Sequence, residues 1–396
     1  MFSLLNKNSN ANILLAGILS IIIGVGVARF AFTSLLPSML QDYLSVTQAG
    51  ILASLNFFGY LSGALFSVSL KNIQKKVFYF RLGIILSILT ALILGTTHSE
   101  ILWIVSRVLA GFGSAMILLV GASLVMLKLN LEFKTKAMGI HFSGIGFAII
   151  TSELVSQMVV ENNSWEEAWL VLAFMAFIFS FYIFHILSFD KEVHKAALQK
   201  ESNKSIFSPY VILLILAYLT EGVGFVVQGT FLPEIVNSLK GLEGKGNLAW
   251  LIVGIAGVPS SILWMRLAHR FNSVDVIIFA LSLQVIGILL PTLSTNIYVN
   301  LLSAALYGST FIGLVALFMN IGGQISKHNP VILMGSMTAA YGIGQVIAPL
   351  YSVALIAHFG NFDTTLYLTA FIVFLGVVLM LLTKSDTVIK ENIRQL

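Results

Sequence analysis

Arg29, Arg107, Glu153 and Glu221 each lie inside an apolar run long enough to cross a bilayer. Placing an ionised group there costs about 2.5 to 3.5 kcal/mol on insertion scales, so each side chain is expected to face protein or water rather than lipid. A guanidinium can hold a carboxylate or phosphate through two parallel hydrogen bonds, which makes Arg29 a candidate anchor for an anionic group on a substrate. Counted at 1.5 Å per residue, Arg29, Arg107 and Glu153 fall at one depth, so a fixed ion pair between Glu153 and one of the arginines competes with that reading. Glu221 falls near the middle of its run with no basic residue beside it. It is the type of group that takes up a proton where it is dry and releases it where water reaches it, and it is the leading candidate for a proton site. A neutral acid bonded to a neighbouring helix is the alternative.

Weaker polar positions surround these four. Glu221, Gly224 and Gln228 form one helical stripe, Asn56 and Tyr60 share a face, and Tyr341 and Gln345 are four residues apart on another. Asn56, Tyr60, Gln228, Tyr341 and Gln345 are candidate substrate contacts. Hydrogen bonds that only join helices would use the same residues. His141 is read as structural, and the many phenylalanines as packing.

Composition decides what these residues are set in. Of 396 residues, 58% are hydrophobic and only 10% charged, and the mean hydropathy is +0.95, far from soluble proteins. The net charge of +5 does not point to nucleic acid, because its placement has another cause. With no cysteine there is no disulfide or thiol nucleophile, and no HExxH, GxSxG or P-loop pattern occurs, so enzyme readings, metal sites and cofactors find no support.

Twelve apolar spans are predicted, near 12–38, 47–69, 77–97, 100–127, 136–160, 165–188, 209–234, 247–267, 274–293, 296–325, 331–358 and 363–383. With the N-terminus in the cytoplasm, 18 of the 22 basic residues fall in cytoplasmic segments, which predicts that both termini are cytoplasmic. The longest polar interruption, 188–208, divides six spans (1–187) from six (209–396) and reads as a solvated cytoplasmic linker.

The chain also repeats. Gly24-Val25-Gly26 recurs as Gly222-Val223-Gly224, and Gly144-Ile145-Gly146 as Gly342-Ile343-Gly344, both at an offset of 198. Leu36-Pro37 is echoed by Leu232-Pro233, and Met138-Gly139 by Met334-Gly335, each displaced by two residues from that offset. Two six-helix halves of one orientation imply a pseudo-twofold axis along the membrane normal and a cavity between the halves. The expected fold is an all-α membrane protein of twelve transmembrane helices in two pseudo-symmetric six-helix bundles.

The run Arg107-Val-Leu-Ala-Gly111-Phe-Gly113-Ser114-Ala115 resembles the fourth-helix motif of the major facilitator superfamily. GVGVARFAFTSLLPSM in span 1, NFFGYLSGAL in span 2 and EGVGFVVQGTFLP in span 7 are similar to its YbfB/YjiJ-like bacterial branch. The resemblance implies a multi-pass secondary transporter in the bacterial cytoplasmic membrane, working by alternating access and usually driven by protons. It gives Arg107 a place in proton handling, and Arg107 joins Glu221 and Glu153 as the proton-coupling candidates. Two departures stand out. SVSLKNIQKK and MRLAHRFN keep basic residues but lack the acid of the superfamily's loop motif, and span 5 has no proline where drug and proton antiporters carry one.

The expected partners are a small solute, protons and membrane lipid, with no nucleic acid, for a chain acting as a monomer. An anionic or zwitterionic solute is favoured by the intramembrane arginine. Proton-antiport efflux of lipophilic compounds and a non-transporting solute sensor with the same fold remain open.

Overall fold

The computed structural model describes residues 7–129, 134–188, 208–325 and 330–384, and every regular element among them is helical. Twelve helices are long and apolar enough to cross a membrane. They are α1 (Asn10–Asp42), α2 (Val46–Val68), α3 (Ile73–Thr96), α4 (Glu100–Lys128) and α5 (Lys134–Val160). Then follow α6 (Trp165–Ile186), α7 (Pro209–Asn237), α8 (Gly246–Arg270), α9 (Ser273–Leu293), α10 (Ile297–Ile325), α11 (Pro330–Phe359) and α12 (Asp363–Leu382). Several starts carry the cap their sequence suggests. Ser45 and Gln48 form a capping box on α2, and the Ser208 hydroxyl accepts from the Val211 amide ahead of Pro209 at α7. Nearly all of the predicted linker, 189–207, lies outside the described residues.

The helices form two bundles of six that meet most extensively through two helix pairs, α2 with α11 and α5 with α8. These pairs are mates under a twofold exchange of the halves, since α2 corresponds to α8 and α11 to α5. Close contacts correct the register of the repeat. A Cβ on Gly26 would stand 3.0 Å from the Ala148 carbonyl, and one on Gly344 would stand 3.2 Å from the Gly222 carbonyl carbon. Gly26 with Ala148 and Gly222 with Gly344 are therefore the same α1–α5 and α7–α11 contact, offset by 196 rather than 198. Gly146 against α8 and Gly342 against α2 obey the same offset, as do the Leu-Pro and Met-Gly echoes. The glycine motifs are thus out of phase by two residues. In α5 the second glycine meets the other half and in α11 the first does.

α1 and α4 each contain a π-helical stretch, Ile22–Phe30 and Met116–Val120, and the two stretches touch where Gly24 receives Ile117. Such widened turns redirect backbone carbonyls away from the regular ladder. The Ala28 carbonyl accepts from Asn56 Nδ2 (3.2 Å) and from Arg107 Nη1 (3.2 Å). α2 and α4 cross with backbones in contact, because Gly59 lies on the Val108 carbonyl and Gly111 on the Asn56 carbonyl, leaving no room for a Cβ at either.

A cavity of about 440 Å³ lies between the halves and opens at the face where both chain ends emerge, beside Leu70, Lys76, Met319 and Met334. At the opposite face the halves are sealed. The Ser54 hydroxyl donates to the Val346 carbonyl (2.5 Å), and Thr33 donates to the Gly229 carbonyl (2.6 Å). Asn247 Nδ2 donates both to the Ser34 carbonyl (3.0 Å) and to Glu153 Oε1 (2.8 Å). The Phe30 ring packs edge-on to Trp250 at 5.4 Å. α2 and α11 touch from Gly50 with Val353 down to Leu61 with Gly342, and beyond that level their side chains line the cavity.

Two outcomes test this packing. Gly111→Val should lower the thermal unfolding midpoint in detergent, because overpacking costs about 1 to 3 kcal/mol and here the obstacle is backbone. The chain has no cysteine, so single-cysteine variants report access cleanly. In this state Thr338→Cys should react with a polar thiol reagent while Thr230→Cys stays protected, as read by intact-mass spectrometry.

Candidate functional site

Arg29 sits one layer behind the cavity lining, packed on Tyr60, on the last turn of the π-helical stretch of α1. Its guanidinium carbon lies 4.6 Å from the centre of the Tyr60 ring, 4.8 Å from Phe57, 5.9 Å from Phe225 and 6.0 Å from Phe30. Cation–π attraction of this type is worth up to about 2 kcal/mol per desolvated contact, which offsets part of the burial cost. The offset is incomplete. Arg29 is only 7% exposed, and its Nε and Nη2 have no hydrogen-bond partner. Under the 196 offset Arg29 and Phe225 are equivalent positions, so the cation of one half packs on the aromatic ring of the other near the pseudo-twofold axis.

The competing alternative, an ion pair of Glu153 with Arg29 or Arg107, is not formed. Among the described residues the only ion pairs are His98 with Glu166 and Lys384 with Asp275, both far from the cavity in the chain's layout. Arg107 instead clamps backbone, donating to the Ala28 carbonyl through Nη1 and to the Leu52 carbonyl through Nε (3.5 Å), with its guanidinium 4.5 Å from the Phe32 ring centre. Asn56 shares this task, bonding the Ala28 and Arg107 carbonyls, so its amide joins α1, α2 and α4. Between Arg29 and Arg107 lies a small chamber of about 10 Å³, lined by Thr33, Asn56 and Thr230 together with Phe30, Phe32 and Phe57, roughly the space of one water. Glu153 lies in the sealed face, where Oε1 accepts from Asn247 of the other half and Oε2 has no partner.

Glu221 is fully buried and neither carboxyl oxygen completes a hydrogen bond. The Gln284 amide of α9 stands beside it but reaches no hydrogen-bond geometry, and Tyr218, Tyr307 and Tyr341 lie within electrostatic range. Tyr341 links the two charged groups, since it is also within range of Arg29 and Tyr60. Its ring stacks on Tyr218 at 4.6 Å and on Phe225 at 6.2 Å. Gln228 donates to the Ser303 hydroxyl at 3.3 Å, inside the C-terminal bundle. Gln345 is buried on α11 with its Oε1 unpartnered, and His141 is buried among α1, α4 and α5, away from the cavity lining.

Of the sequence-derived candidates, Tyr60 and Tyr341 line the inner end of the cavity, and Arg29 packs behind Tyr60. Arg29, Asn56, Gln228, Gln345, Glu153 and Arg107 are not among the cavity's described lining residues. Sequence reasoning missed Phe57, Phe225 and Tyr218, having read aromatics as packing. Phe57 was discoverable, because it precedes Tyr60 by one helical turn. Tyr60, Tyr218 and Tyr341 all line the cavity, and their hydroxyls bond no described protein group.

The family described as "Uncharacterised MFS-type transporter YbfB" matches residues 21–381. Among curated proteins, the chain is 24% identical over 306 residues to the "Uncharacterized MFS-type transporter YtbD" of Bacillus subtilis, covering 76% of this chain and 74% of that one. It is 21% identical over 311 residues to an "Uncharacterized transporter" of Buchnera aphidicola, covering 74% and 73%. The crystal structure of a point mutant of the nucleoside transporter NupG superimposes with a TM-score of 0.72 at 10% identity, covering 94% of this chain and 100% of that one, a likeness of fold. With twelve spans in two bundles around a central cavity, and a family match over nearly its whole length, the chain belongs to the YbfB-like family of MFS-type transporters.

Proposed function

We propose that this transporter moves a small anionic or zwitterionic organic solute across the bacterial cytoplasmic membrane by alternating access, coupled to protons. The observation that carries the reading is the Arg29 guanidinium, buried directly behind the cavity-lining Tyr60 with two unpartnered nitrogens and no carboxylate paired to it among the described residues. A guanidinium stays protonated in proteins, so its counter-charge has to be supplied, and the open cavity is where a solute can supply it. Positive-inside placement puts both termini, and hence the cavity mouth, in the cytoplasm. Each bundle keeps its own contacts, so the monomer is a sufficient unit.

Glu221 is the proton site in this reading. It is dry, it lacks a cation, and Tyr218 and Tyr341 separate it from the cavity, so water reaches it only when α7 and α11 rearrange. Glu153 is the second titratable group on the route. It is held across the sealed seam by Asn247, a contact that must break for that face to open. Arg107 supports both by fixing the π-helical turn that presents Arg29.

The first test is a thermal-shift screen of purified protein against small carboxylates, amino acids, sugars, phosphates and lipophilic cations. A ligand at one hundred times its Kd adds about 2.7 kcal/mol to the folded state. Carboxylates or amino acids should stabilise the wild type and lose that effect in Arg29→Ala. Stabilisation by lipophilic cations that survives Arg29→Ala would replace this reading with efflux. In proteoliposomes, Glu221→Gln should retain solute exchange but lose accumulation driven by a pH gradient, measured with labelled solute; accumulation at the wild-type level would remove Glu221 from coupling.

A further inference from the structure

We infer that the chamber between Arg29 and Arg107 is a binding site for a single monatomic anion, chloride, which joins the two halves at the sealed face. The site is separate from the solute cavity and does not depend on the identity of the solute.

Two cations share this chamber. Arg29 and Arg107 are only 7% and 2% exposed and lie within electrostatic range of each other. Among the described residues neither pairs with a carboxylate, and no acidic residue lines the chamber. A guanidinium does not shed its proton, so the two repel across a region where water screens them poorly. One small anion between them turns that repulsion into two attractions. It also leaves one of the two positive charges uncompensated, so a solute anion in the cavity in front of Tyr60 is still attracted.

The donors left over on the chamber wall suit an anion better than a water. Arg107 commits Nε and Nη1 to the Leu52 and Ala28 carbonyls, which leaves Nη2. Arg29 Nε and Nη2 are closed to a water-sized contact, which leaves Nη1, and among the described cavities only the chamber has Arg29 in its lining. The Thr230 hydroxyl, on the same wall, bonds no described protein group. Acceptors are scarce there, because the Gly229 carbonyl already accepts from Thr33 and Asn56 Oδ1 is closed to contact. A water would find partners for its lone pairs but few for its hydrogens, whereas chloride only accepts. A space of about 10 Å³ admits one such ion and excludes polyatomic anions such as nitrate, sulfate or a carboxylate. Gly229 and Thr230 belong to α7 and the other lining residues to α1, α2 and α4. The ion therefore spans the seam beside the Thr33 to Gly229 bond and adds to the closure of this face.

Equilibrium binding of radiolabelled chloride to the purified full chain, in sodium gluconate at about 0.15 M ionic strength, tests the site. Binding should saturate at one ion per chain, bromide should compete while nitrate and sulfate do not, and the thermal unfolding midpoint should rise with chloride. Thr230→Asp places a carboxylate on the chamber wall with little change in side-chain volume. It should weaken chloride binding at least about tenfold and lift the chloride-free midpoint to that of the chloride-loaded wild type, whereas Thr230→Asn should still bind chloride. A chloride-free midpoint for Thr230→Asp below that of Thr230→Asn would overturn the inference. Absence of saturable chloride binding would also overturn it, as would binding that survives both Thr230→Asp and Arg29→Met. If the carboxylates that stabilise the wild type displace chloride one for one, there is a single shared anion site; the chamber site is then overturned and Arg29 stands as the solute anchor. Saturable chloride binding with no carboxylate effect in the thermal-shift screen would do the reverse.

Discussion

A guanidinium buried without a carboxylate is the constraint that organises this molecule. Arg29 cannot shed its charge, and removing it from water is costly unless other interactions replace hydration. Rings from both halves stack around it, Phe57 and Tyr60 from α2 and Phe225 from α7. Those rings carry attraction but accept no hydrogen bond in the guanidinium plane, so Nε and Nη2 of Arg29 are left without a partner. A fixed salt bridge would have neutralised the group and left it nothing to offer a solute.

The position of Arg29 depends on a second layer. The π-helical turn of α1 rotates the Ala28 carbonyl out of the ladder, and Arg107 and Asn56 take it up. That clamp requires α4 and α2 to approach closely, which Gly59 and Gly111 allow. The chain of dependence runs from two glycines, through a backbone crossing, to two side-chain donors and then to the placement of the guanidinium behind Tyr60.

The same architecture has two sides of unequal strength. Seam contacts of the sealed face are hydrogen bonds from Thr33, Ser54 and Asn247, none of them an ion pair. Hydrogen bonds between neutral groups contribute about 1 kcal/mol each, so such a seam is closed but not locked. The α2–α11 and α5–α8 pairs are symmetry mates, and their glycines bring the halves into close contact. The segment SVSLKNIQKK on the open side carries no acidic residue, and the hydrogen-bonded seam stands on the other side.

Span number, the all-helical class, the two-half organisation and the family were legible in the sequence, because hydropathy, positive-residue placement and internal repetition are one-dimensional signals that the bilayer enforces on any chain crossing it twelve times. Arg29 was legible too, since a charge inside an apolar run is conspicuous. The sequence by itself did not decide the repeat's register, which glycine spelling placed at 198 and backbone contact placed at 196. It also could not decide partners. Arg29, Arg107 and Glu153 share a depth, but pairing depends on which way each helix is rotated. Tertiary packing turned Arg107 to backbone carbonyls, Glu153 to Asn247 across the seam, and Arg29 to an aromatic cage. Depth follows from counting residues along one chain, whereas rotation is set by close packing among several, and that is decided only when all twelve helices are in place.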